Sequence, residues 1–162
     1  MRENKMTIRV RQAQLSDQHH LATMCALLWP DAPIEEHSRE LDTTLRTGMY
    51  GTLPMAIFIS QADDKAENQT PTGFIEVGLR SHADGCDTAL PVGFIEGWFV
   101  HEAFRNRGVG AALMRYAEDW ARKQGCIEIA SDTWLDDETS ILTHQALGFE
   151  VVDRCVHFRK PL

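Results

Sequence analysis

Apolar and polar positions along the chain change period several times, and each change predicts an element. Thr7 to Gln12 alternates as a first strand. Ser16 or Asp17 offers an N-cap to a helix whose stripe is Leu21, Met24, Cys25 and Leu28, and Pro30 stops it. A second helix starts near Pro33, with Ile34, Leu41 and Leu45 along one side and Gly48 at its C-terminal cap. Pro54 precedes a strand over Met55 to Ser60. Asp63 to Thr72 is polar without period and reads as a hairpin loop, followed by a strand over Thr72 to Arg80. Ser81 to Leu90 is a second polar connection, with the turn pair Asp84-Gly85, and Val92 to Val100 is the next strand.

The strongest helical period runs from Gly108 to Gln124. Val109, Leu113, Tyr116, Ala117 and Trp120 share a face, Arg122 and Lys123 suit the last turn, and Gly125 caps it. A short strand over Ile127 to Asp132, a helix over Asp137 to Leu147 ended by Gly148, and a closing strand over Val151 to Arg159 complete the chain. The order is one strand, two helices, an antiparallel meander and then β-α-β-α-β. It predicts an α+β (mixed α/β) fold, a twisted mixed sheet with helices on both faces. The connection from Val100 through the long helix to Ile127 is expected to be a right-handed crossover between parallel strands. Ligands gather at the carboxyl ends of such strands, here Val100 and Asp132.

With 162 residues and 43% apolar positions the chain predicts one domain over residues 1–162. No apolar run reaches the ~18 residues of a membrane span, and the charged start, Met1 to Val10, lacks the apolar core of a signal peptide. The four cysteines (Cys25, Cys86, Cys126, Cys155) are far apart and form no C-x-x-C pair, which predicts reduced thiols and a cytoplasmic location. The histidines form no ligand set at metal spacing, so no metal site is expected. A formal charge of −8 argues against nucleic acid or an anionic membrane as partner and suits a cationic small molecule.

One stretch departs from ordinary punctuation. Strand residues Gly93 to Val100 lead through a short loop into Arg105-Asn106-Arg107-Gly108-Val109-Gly110, which opens the long helix. Backbone N–H groups at a helix start converge on one point, glycines admit close approach, and two arginines add charge; a pyrophosphate fits there. The competing explanation is a glycine-rich helix start that packs tightly. No Lys-Ser/Thr follows, and G-x-G-x-x-G is absent, so the loop is neither a Walker loop nor a dinucleotide fingerprint.

Arg-x-x-Gly-x-Gly in this setting resembles the acetyl-coenzyme A site of the GCN5-related N-acetyltransferases (GNAT). His144-Gln145-Ala146-Leu147-Gly148-Phe149-Glu150 is similar to that family's helix-to-strand signature. Leu28-Trp29-Pro30, Phe94 to Val100 and Ala130-Ser131-Asp132-Thr133 look like the aminoglycoside 6'-N-acetyltransferase subgroup. The resemblance spans nearly the whole domain. It implies transfer of an acetyl group from acetyl-coenzyme A to the 6'-amine of an aminoglycoside, which confers antibiotic resistance, and a homodimer.

The resemblance also assigns residues. Trp98, Phe99 and Val100 match strand positions that lend backbone groups to the pantetheine arm, and Asn106, Arg107, Gly108, Val109, Gly110 and Ala111 match the pyrophosphate cradle, with Arg105 beside it. Gly97 marks a bulge. Glu96 and Asp132 match acids that hold substrate amines and are the catalytic candidates, Glu96 first as the base. Trp29 becomes a wall of the sugar pocket, Asp153 a further substrate-side acid, and His82 falls near a substrate-contacting tyrosine. Asp137 stands where relatives carry a cofactor-binding asparagine, His144 where many carry an acid tyrosine (a packed or capping histidine is the alternative), and Phe158 replaces a second tyrosine. Two alternatives stay open for the acids: Glu96 pairs with an internal arginine, and Asp132 caps a turn. Two others stay open for the function: a GNAT enzyme for another amine (polyamine or protein N-terminus), or a non-catalytic acyl-coenzyme A-binding module.

Overall fold

The structure is a computed structural model that describes residues 7–62 and 70–162. One mixed sheet organises it. Strand β1 (Ile8–Gln12) pairs antiparallel with β3 (Leu53–Ala62), which continues into β4 (Pro71–Arg80) and β5 (Val92–Val100) as an antiparallel meander. Strand β6 (Ile129–Ser131) joins β5 in parallel, and the two-residue β2 (Met49–Tyr50) pairs with β3 off the main path. Of the hairpin loop expected over Asp63 to Thr72, residues 63–69 lie outside the described residues.

Helices α1 (Gln18–Leu28) and α2 (Ile34–Thr47) cover one face of the sheet, and α3 (Val109–Lys123) covers the other. The first face buries Leu21, Met24, Cys25 and Leu41 against Ile57, Ile59 and Phe74. The second buries Val109, Leu113, Met114 and Ala117 against Phe58, Ile75, Val77 and Ile95. Alternate side chains of each central strand therefore enter different cores, as the pleat requires. Leu113 and Met114 are almost fully buried, and each such side chain contributes about 1.5–3 kcal/mol relative to exposure. That anchors α3, and with it the loop before it, against the sheet. The fourth helix, α4 (Glu138–Ala146), buries none of its side chains fully.

Local punctuation works largely as the sequence predicts. Pro33 precedes α2, and Gly48 ends it in the left-handed conformation at φ 67°. Asp17 precedes α1, but its carboxylate does not cap it. It accepts two bonds from Arg11 at 2.8 and 2.9 Å and one from the Gln14 N–H at 2.8 Å, which tie β1 to the turn before α1. Two predicted core positions lie further out. Tyr116 is half exposed and packs its ring against Phe58, while Ile34 is exposed at the start of α2, where His37 is buried instead.

The main correction concerns the C-terminus. The closing strand expected over residues 151–159 does not form, and this stretch is exposed without regular structure. Val152, Val156 and Phe158 all remain in solvent. Apolar alternation marks a segment suited to a sheet, but it does not decide which edge, if any, the segment joins.

Candidate active site

Two features meet at β5. The first is a bulge. In the β4–β5 ladder Glu76 pairs with Gly97 and Val77 with Ile95, which leaves Glu96 as the extra residue. Two successive side-chain positions of β5, Glu96 and Gly97, thereby face the α1/α2 side, while Ile95 and Trp98 face α3. The bulge expected at Gly97 is present at its neighbour, with Glu96 as the extra residue and Gly97 paired to Glu76.

The second feature is a split. Pairing of β5 with β6 ends at Ile95 and Ser131, while β5 runs on to Val100. Past that point β5 has no neighbouring strand on its β6 side, among the described residues. The unpaired edge leads towards the loop before α3. There Asn106 and Gly108 adopt left-handed conformations, at φ 59° and 83°. The turn aims the N–H groups of Val109, Gly110 and Ala111, the first residues of α3, out of the helix end, where they have no intrahelical acceptor. A polar segment with an amide row and an extended donor–acceptor edge fits a pantetheine arm and its pyrophosphate. Gly110 also has a packing reason: a Cβ there would come within 2.9 Å of the Trp98 indole. The tight-packing explanation of the glycine loop therefore holds at Gly110, and the free amides beside it leave room for an anion.

Individual side chains in this region do more structural work than the sequence indicates. Arg105 Nε donates to the Val100 carbonyl at 2.9 Å, fastening the end of β5 to the loop. Asp137 is the N-cap of α4, its carboxylate accepting the Ser140 N–H at 2.9 Å. His144 Nδ1 donates to the Ser140 carbonyl at 2.8 Å, and Nε2 meets the Ser131 hydroxyl at 2.9 Å, so both ring nitrogens are engaged. Its ring stands edge-on to Trp98 and Phe149. His144 thus joins α4 to β6 and β5. Trp98 Nε1 is buried and has no hydrogen-bond partner among the described residues. Phe99 packs on Phe74 and His101 on the opposite side, and burial together with nearby Arg105 lowers the pKa of His101.

On the α1/α2 side the sheet and the two helices enclose a cleft of about 510 Å³. Its walls include Trp29, His37, Glu40, Tyr50, Glu76 and Glu96. Trp29 closes the end of α1, its indole against Phe74 and Gly97, and His37 Nε2 is 3.1 Å from its carbonyl oxygen. Trp29 is a wall of this cleft. Glu96 receives two bonds from Arg80, Nε to Oε1 at 3.0 Å and Nη2 to Oε2 at 2.7 Å, and the guanidinium carbon of Arg80 sits 3.3 Å above the Phe94 ring centre. Glu96 thus lines the cleft, and the alternative that it pairs with an arginine is what the structure shows.

The remaining expected acids lie elsewhere. Asp132 is exposed just beyond the end of β6, outside the cleft wall but at the mouth of the split. Asp153 is exposed in the C-terminal stretch and accepts the neighbouring Arg154 N–H. His82 is exposed, its Nδ1 beside the Ser81 hydroxyl. The structure does not bring Asp153 or His82 into the cleft.

One residue was not anticipated. Glu76, in the middle of β4, is buried and faces the cleft beside Trp29 and Gly97. Burial, with the charges of Glu96 and Glu40, raises its pKa to about 7. The signal was available: a carboxylate between Ile75 and Val77 in a strand is as costly as Glu96 between Ile95 and Gly97.

A profile of the acetyltransferase (GNAT) family matches residues 21–149. The chain belongs to that family. It is 39% identical over 153 residues to aminoglycoside N(6')-acetyltransferase type 1 of Klebsiella aerogenes, covering 94% of this chain and 96% of that one. Identity to the enzyme of the same name from Stenotrophomonas maltophilia is 38%, covering 94% and 93%. Among solved structures, aminoglycoside N-acetyltransferase AAC(6')-Iy in complex with CoA superposes with a TM-score of 0.85 at 32% identity over the full length of both chains. The same enzyme bound to the bisubstrate analogue CoA-S-monomethyl-acetylneamine gives 0.83 at 33% identity, covering 96% and 99%. The GNAT fold inferred from the glycine loop is the fold observed.

Proposed function

We propose that this GNAT enzyme transfers the acetyl group of acetyl-coenzyme A to the 6'-amine of an aminoglycoside. The observation that carries the reading is the two-sided use of β5. Its backbone edge from Glu96 to Val100 is open beside the α3 N-terminus, while Glu96 itself lines the acidic cleft on the opposite face. The split and the amide row of Val109 to Ala111 would hold the coenzyme, with Arg105 and Arg107 nearby for its phosphates. Acetyl-coenzyme A supplies an activated acyl group when bound. Whichever backbone N–H groups of Trp98 to Val100 point to the open edge of β5 would polarise its thioester carbonyl.

Glu96, Glu76 and Glu40 give the cleft a negative lining, and Trp29 gives it one flat apolar wall. That combination suits a polyamino sugar, whose ammonium groups need carboxylates and whose ring faces pack on an indole. Asp132 stands across the split from Glu96 and holds a second amine in this reading. A protein N-terminus has one charge and matches the lining less well. The relatives are named as enzymes over nearly their whole length, which sets aside a non-catalytic module.

A cytoplasmic, homodimeric enzyme completes the proposal. No described helix is long and apolar enough to cross a membrane. The exposed Val152, Val156 and Phe158 offer apolar surface that a second copy would cover, and sedimentation equilibrium tests that. The function is tested by a thiol-release assay with acetyl-coenzyme A across aminoglycosides bearing or lacking a 6'-amine. Release only with the 6'-amino compounds is expected; equal release with polyamines, and none with aminoglycosides, would redirect the assignment.

A further inference from the structure

Glu96 is the obvious base by position, yet Arg80 occupies both of its carboxylate oxygens at 3.0 and 2.7 Å. Both oxygens of Glu96 are thus engaged by one guanidinium, and an incoming ammonium would have to compete with two charge-assisted bonds. Glu76 is in the opposite condition. It lies one strand away, directly across the ladder from Gly97, and only 8% of it is exposed. Among the described residues nothing donates a hydrogen bond to its carboxylate, and no cation pairs with it. A buried charge without a partner is costly, and the cleft that Glu76 lines gives a cation access to it.

We propose that Glu76 is the proton acceptor for the amine that is acetylated, with Glu96 and Arg80 as a fixed electrostatic pair beside it. The inference rests on the acetyl-transfer reading above. An ammonium entering the cleft is drawn to Glu76 as the one acid there that is both buried and unpaired. It passes one proton to the Glu76 carboxylate, directly or through a single water, and becomes a free amine. The amine nitrogen then forms a bond to the acyl carbon while the carbon–sulfur bond breaks. The second proton goes from that nitrogen to the departing thiolate. Glu76 afterwards releases its proton to solvent, so one ammonium and one thioester give one amide, one thiol and one proton.

The groups around Glu76 bear on its titration. From α1 it faces the Cys25 thiol, which burial keeps protonated by raising its pKa; from α2, His37 and Glu40; from β5, Glu96; and on its own strand, Arg80. Glu96 and Glu40 both oppose its ionisation, while desolvation is the largest influence. The outcome, a carboxyl that titrates near 7, matches a base working at neutral pH. Gly97 has a role here too. A side chain at 97 would strike the Trp29 ring at 2.5 Å and lie 3.5 Å from Glu76 Oε2, so its absence keeps the approach open.

The test is the pH profile of kcat/KM for a kanamycin-type acceptor from pH 5.5 to 9.5, in wild type and in Glu76→Gln, Glu76→Asp, Glu96→Gln and Asp132→Asn. Wild type is expected to lose activity below an apparent pKa near 7. Glu76→Gln should lose ~100-fold or more at pH 7, the lower end of general-base effects, with its limb displaced towards the acceptor amine's own pKa. Glu76→Asp should restore part of the rate and a limb near neutrality. Glu96→Gln should keep a limb but move it to lower pH, because one opposing charge is gone. Acetyl-coenzyme A affinity, measured by calorimetry, should stay within about twofold in Glu76→Gln, the scatter expected of a site this variant does not touch. A limb unchanged in Glu76→Gln, or one that disappears with Asp132→Asn instead, overturns the assignment. Should Glu76→Gln fail to fold, carboxyl-carbon NMR of labelled wild type decides: a glutamate titrating near 7 that shifts on adding the acceptor supports it, and none titrating above about 5.5 refutes it. Wild type that binds acetyl-coenzyme A but acetylates no aminoglycoside refutes the acetyl-transfer reading instead.

Discussion

Arg80 and Glu96 form a two-bond ion pair across the β4–β5 ladder, at 3.0 and 2.7 Å, at the point where β5 bulges. The bulge turns Glu96 to the cleft side, and Arg80 reaches it along the same face of β4. The pair is partly exposed, so its direct contribution to stability is modest, and its effect on neighbouring charges matters more.

Arg80→Ala should leave Glu96 uncompensated next to Glu76. Two like charges then oppose the ionisation of Glu76 more strongly, and the acid limb of activity should move to higher pH. The stability loss should be small, about 1 kcal/mol, from the exposed pair and the stacking on Phe94. Parallel pH–rate and urea titrations check both halves; a limb that moves down in pH contradicts the electrostatic account.

The raised pKa of Glu76 makes stability depend on pH. Its folded value, about 7, lies above the ordinary 4.5, so between these values the native state holds a proton that the unfolded chain has lost. This contribution is fully present below about pH 4.5 and is lost as pH rises through 7. Glu76→Gln should therefore be the more stable protein at pH 8, by up to about 3 kcal/mol, with the advantage vanishing at pH 4.5. Urea unfolding at the two pH values measures it, and a constant difference would refute it.

Gly97→Ala places a methyl within 2.5 Å of the Trp29 ring. Trp29 must move out of the cleft wall, since the β5 backbone is held by the ladder. KM for the aminoglycoside should rise about tenfold while acetyl-coenzyme A binding stays unchanged, consistent with 1–2 kcal/mol of lost wall contact. Initial-rate kinetics with each substrate varied in turn distinguish this from a general loss of folding.

Arg105→Ala removes the bond to the Val100 carbonyl at the turn from β5 towards α3. Both its structural role and its proposed phosphate role point the same way, to weaker coenzyme binding. An affinity loss of about tenfold, measured by calorimetry, is expected from one charge-assisted bond. The aminoglycoside KM should hold, because Arg105 is not part of the cleft.

The sequence by itself determined the elements, their order and the glycine-opened helix, because hydrophobic period and caps act within a few residues. It also marked Glu96 as out of place in an apolar strand. The tertiary structure decided which side chains meet. Arg80 finds Glu96, and Glu76 faces Gly97 and Trp29, only through the register of β4 against β5 and the one-residue slip at the bulge. It is also the tertiary structure that makes Asp137 the cap of α4 and His144 the link from α4 to β6. Residues 151–159 carry the alternation of a strand, yet among the described residues they pair with none. Period is a property of one segment, whereas pairing, burial and the resulting shift of a carboxyl depend on what distant segments place beside it.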